Sequence, residues 1–69
     1  MPNELIDWLD KNDPIAREAV GDMTANHMRL YLNHRYGAQV KGKDPVGQTL
    51  GVFVQAGQRW LGKLELPDA

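Results

Sequence analysis

Apolar residues recur at helical spacing along most of this chain. Leu5, Ile6 and Leu9 share one face with Trp8 beside them, and Asn3 stands ahead of them as a cap. Glu4 and Asp7 fall in the first turn, where the positive end of the helix dipole favours acids. A first helix is therefore predicted, ending at Asp10-Lys11-Asn12. Asp13-Pro14 starts a second, because Asp is a good cap and proline suits the first helical position, where its missing N–H costs nothing. Ile15, Ala19 and Val20 give it a short apolar face, and Gly21 supplies a left-handed closing residue. Thr24 caps a third helix over Ala25 to Arg35, with Met28, Tyr31, Leu32 and Tyr36 three and four apart and Gly37 ending it. Asn26, Arg29 and Asn33 lie on its opposite side, polar and exposed in this reading.

Beyond Gly37 the pattern forks. Ala38 to Lys43 reads as a basic connector or a short strand. Asp44-Pro45 repeats the cap-and-proline start, and Val46, Leu50, Phe53, Gly57, Trp60 and Leu64 then make a long helical seam. Against a helix stand Gly47, Gly51, Gly57 and Gly62, each costing roughly 1 kcal/mol relative to alanine in a helix interior. The competing pattern is a hairpin of Thr49–Gln55 and Arg59–Leu66, in which Leu50, Val52 and Val54 alternate. The expected fold is all-α, a small bundle of three to four short helices in a single domain spanning 1–69. An α+β fold with a C-terminal β-hairpin is the alternative, and Pro67 to Ala69 form a tail.

Length sharpens this picture. A chain of 69 residues buries only about 60% of the surface its unfolded form exposes, so the core is marginal and a homodimer is expected. The absence of cysteine excludes disulfides and cysteine-ligated zinc and fits a reducing compartment. No apolar run approaches the roughly 18 residues of a membrane span. Met1-Pro2-Asn3-Glu4 has no basic region followed by an apolar one, so no signal peptide and a cytoplasmic location are expected.

Charge is unevenly placed although its total is only −1. Residues 1–22 hold six acids against Lys11 and Arg17, net −4. Residues 23–43 hold Arg29, Arg35, Lys41 and Lys43 with no acid, net +4, together with His27 and His34. The two segments either attract each other within the fold or present opposite charge to partners.

Catalytic chemistry finds little footing. His27 and His34 are seven apart, whereas metal-binding pairs on a helix sit at i, i+4 so that both reach one ion. Glu4 or Asp7 with Lys11 read as solvated helix-surface charges, and Gly42-Lys43 lacks the flanking residues of a phosphate-cradling loop. No metal, no cofactor and no enzymatic activity are expected.

Residues 13–36 resemble the helix-turn-helix family of DNA-binding domains. The features that carry the likeness are Ala16 or Ala19 as the small residue, Gly21 at the turn, Thr24 as cap, and Met28 with Leu32 facing the core. Met28-Arg29-Leu30-Tyr31-Leu32 looks like the end of a recognition helix in small phage regulators, although Asp22-Met23 makes the turn one residue longer than in the family. The resemblance implies a phage-type transcription regulator on double-stranded DNA, with the cap Thr24 at a backbone phosphate and Asn26, His27 and Arg29 at base edges. Asn33 belongs to the same polar face, while Arg35, Lys41 and Lys43 would neutralise phosphates. The alternative is a protein-binding module or inhibitor that docks on a host protein through Phe53, Trp60 and the acidic front, since aromatic anchors dominate interfaces.

Overall fold

The computed structural model describes residues 3–64, excluding the side chains of Asn3, Val46 and Leu64. The side chains of Asn3, expected as a cap, and of both ends of the long seam, together with the Pro67–Ala69 tail, therefore fall outside what is described. Four helices are described: α1 (Asn3–Asn12), α2 (Pro14–Ala19), α3 (Ala25–Tyr36) and α4 (Val46–Leu64). The fold is all-α, with no strand among the described residues.

α1 buries Leu5 and Leu9 completely, with Ile6 and Trp8 packed at the edge of the core. At its end the Asn12 side-chain amide donates to the Trp8 carbonyl at 2.9 Å, and the Asp13 N–H reaches the Leu9 carbonyl at 2.8 Å. α2 follows after a single residue. The Asp13 carboxylate accepts from the Ala16 N–H at 3.2 Å, and Pro14 takes the first helical position, as its sequence predicts.

The apolar face of α2 differs from the expected one. Ile15 is 71% exposed and Ala19 is exposed, whereas Ala16 and Val20 are buried. The cause is Asp13, itself only 3% exposed. Burial of that carboxylate fixes the rotational phase of the helix, and Ala16 and Val20, three and seven residues on, share its side. Gly21 is not the left-handed closure either: α2 ends at Ala19 with Val20 as its C-cap, and Gly21 occupies a turn in which its N–H bonds the Glu18 carbonyl.

α3 matches its pattern closely. Thr24 Oγ1 accepts from the His27 N–H at 3.2 Å, and Met28, Leu32 and Tyr36 are buried. Gly37, at φ 68°, turns the chain so that its own N–H and that of Ala38 both reach the Asn33 carbonyl. The connector is irregular rather than a strand, yet Val40 within it is 3% exposed and joins the core.

Residues 46–64 form one helix and not a hairpin. It begins one residue later than the Asp44 cap implies. Pro45 contributes the first helical carbonyl, to the Thr49 N–H, while the Asp44 carboxylate turns back onto the Lys41 N–H at 2.9 Å. Phe53, Ala56 and Gly57 are buried, with Leu50 and Trp60 beside them. Packing runs α2 on α1, α1 on α4 and α4 on α3. Gly57 lets α4 approach closely: a Cβ there would stand 2.5 Å from Trp8 Cη2 and 3.1 Å from Tyr36 Cε2.

Candidate nucleic-acid interface

The acidic front and the basic middle meet at one point among the described residues, Asp13 with Arg35. Arg35 Nε and Nη2 each donate to the Asp13 carboxylate at 2.9 Å, and the Tyr36 hydroxyl donates at 2.6 Å. With the Ala16 N–H, four donors surround one buried carboxylate. Burial pushes the Asp13 carboxyl up, but the donations from Arg35, Tyr36 and Ala16 and the charge of Arg35 outweigh it and hold it below the ordinary value. The same pair raises Arg35, chiefly through its bond to Asp13, and burial together with the carboxylate pushes the Tyr36 hydroxyl up. The Arg35 guanidinium also lies 4.4 Å from the centroid of the Trp60 ring, which in turn rests on Tyr36 at 5.7 Å. Arg35 is therefore a structural cation, already neutralised, and not the phosphate contact expected of it.

The polar face of α3 is likewise engaged. The Asn33 side chain donates to the Val40 carbonyl at 2.7 Å and accepts from the Val40 N–H at 2.9 Å. A side-chain amide thus does for Val40 what a neighbouring strand would do. Arg29 donates to the same carbonyl at 3.4 Å and to the Asn26 side-chain oxygen. Arg29 and Asn33 are partly buried rather than exposed. Both hold the connector against α3, so Arg29, expected at base edges, and Asn33, expected on the exposed polar face, spend hydrogen bonds on Val40. The exposed residues of that helix are Ala25, Asn26, His27, Leu30 and His34, and Thr24 serves as its cap.

Holding the connector there creates a different feature. Gly42 lies over the Arg29 guanidinium, a Cβ at Gly42 being 3.4 Å from Nη2, and its two neighbours Lys41 and Lys43 are exposed. One turn thus carries two exposed lysines and lies against the Arg29 guanidinium. Arg29, Lys41 and Lys43 form no salt bridge among the described residues. Asp44 at the end of the turn offsets one of them, leaving a local excess of two positive charges.

The aromatic candidates separate. Phe53 is 0% exposed and belongs to the core, so the structure corrects its expected role as a docking anchor. Trp60 is partly buried, with one face taken by Arg35. Among the described residues no group of three or more metal-ligating side chains occurs, and no helix is long and apolar enough to cross a membrane. α2 packs chiefly on α1, not on α3. No family model, curated protein or solved structure matches the chain.

The sequence reading missed Val40 and the approach of Gly42 to the Arg29 guanidinium. A signal existed for the first: Val40 is the one strongly apolar residue in a basic, glycine-bearing connector, and such a residue seeks the core. The second had none, because it depends on how Val40 docks.

Proposed function

We propose that this protein is a small regulatory DNA-binding protein that contacts phosphate through the edge formed by Arg29, Lys41 and Lys43. The observation that carries the reading is that the Arg29 guanidinium lies against Gly42, flanked by the exposed Lys41 and Lys43, with none of the three in a salt bridge among the described residues. Cations held this way gain most from an anion that releases its own counterions on binding. The net charge of −1 means that attraction is local, so the affinity is low and visible at low salt. In this reading the protein acts in the cytoplasm, and a homodimer would place two such edges on one duplex and raise the effective affinity.

Fluorescence anisotropy with labelled duplex DNA over a salt series tests the proposal. Two to three neutralised phosphates predict an affinity that falls about 10- to 40-fold between roughly 50 and 200 mM salt. Absence of binding at the lower salt would remove the reading. A second reading, docking on a basic protein partner, is supported by the acidic face: Glu4, Asp7, Asp10, Glu18 and Asp22 are exposed, as is Ile15. It gains if binding to DNA is absent.

A further inference from the structure

We infer that the DNA contact is directed at the backbone of the duplex and is indifferent to base sequence. This rests on the DNA-binding reading and narrows it, because a helix-turn-helix regulator would discriminate among sequences through its second helix.

Sequence is read by side chains with unspent hydrogen-bonding groups that reach base edges, Arg to guanine and Asn or Gln to adenine. On α3 the Asn33 amide, two donors of Arg29 and the Asn26 acceptor are already used. Asn33 spends both its donor and its acceptor on Val40. Arg29 is shared between Val40 and Asn26, which occupies the Asn26 acceptor needed for a two-point contact with adenine. Releasing Asn33 would unpair both backbone groups of Val40, a residue 3% exposed, and such a loss opposes insertion of that side chain into a groove.

Single strands are held by stacking bases on exposed rings. No described aromatic residue is exposed: Tyr36 and Phe53 are buried, and Trp8, Tyr31 and Trp60 are partly buried. What remains exposed at the edge, Lys41 and Lys43, are flexible point charges suited to phosphate, and phosphate contacts carry no sequence information.

The experiment compares two duplexes of about 20 base pairs, equal in composition and unrelated in order, with one of their single strands, at roughly 50 mM salt. Both duplexes are expected to bind within about threefold of each other and more tightly than the single strand. The Lys41→Ala/Lys43→Ala variant, changed only at exposed positions, should flatten the logarithmic salt slope by about 1.8 for both duplexes alike. A preference of about tenfold for one duplex, or tighter binding of the single strand, would overturn this inference and leave DNA binding standing. Failure to bind any of the three would overturn both.

Discussion

Replacing Asp13 by alanine should cost about 3–5 kcal/mol, the usual penalty for removing one partner of a buried ion pair. A chain of this size has roughly 3–10 kcal/mol in total, so the variant should be largely unfolded. The reason is the number of groups that depend on one carboxylate. It caps α2, neutralises Arg35, accepts from Tyr36, and through Arg35 reaches the Trp60 ring on α4. Removing it leaves a guanidinium whose side chain is only 18% exposed without its counter-charge. Urea unfolding followed by circular dichroism measures the loss. A cost below about 1 kcal/mol would mean that Arg35 relaxes into water and that the pair contributes little.

Acid should weaken the same contact by protonating the carboxylate. The folded Asp13 carboxyl lies below its ordinary value of 3.8, so its contribution is complete above that value. It disappears as the pH falls through the folded pKa. In Asp13→Asn that part of the pH dependence should be missing.

Gly57→Ala should also destabilise, by about 1–2 kcal/mol net, although alanine is the better helix former by about 1 kcal/mol. The added methyl would meet Trp8 at 2.5 Å and Tyr36 at 3.1 Å. Both neighbours are rigid rings, held edge to face at 6.1 Å, so neither gives way as a flexible side chain would. Combining the change with Trp8→Phe, which removes the part of the indole that collides, should restore part of the loss. A single variant more stable than the natural protein in the same urea assay would show that α4 has room to move away from α1.

These two sites show what could and could not be read from sequence. α3 was legible because its signals are local: a Thr24 cap, an apolar stripe every three or four residues and Gly37 to close. The phase of α2 was not, because it is set by a partner 22 residues away. The choice between helix and hairpin for residues 46–64 turned on tertiary packing. Val52 and Val54 favour a strand by type, but burying Phe53, Ala56 and Gly57 on one helical face overrode that preference. At the candidate site, the exposed lysines 41 and 43 followed from composition. The diversion of Arg29 and Asn33 onto Val40 depends on a loop folding back onto its own helix, which no local pattern encodes.

The most direct test of the account is a map of amide and arginine side-chain resonances during titration with duplex DNA at roughly 50 mM salt. The account predicts shifts concentrated at Lys41, Gly42, Lys43 and the Arg29 Nε–H, with α1 and α4 unmoved. Shifts centred on His27, Leu30 and His34, or no shifts at all, would contradict it.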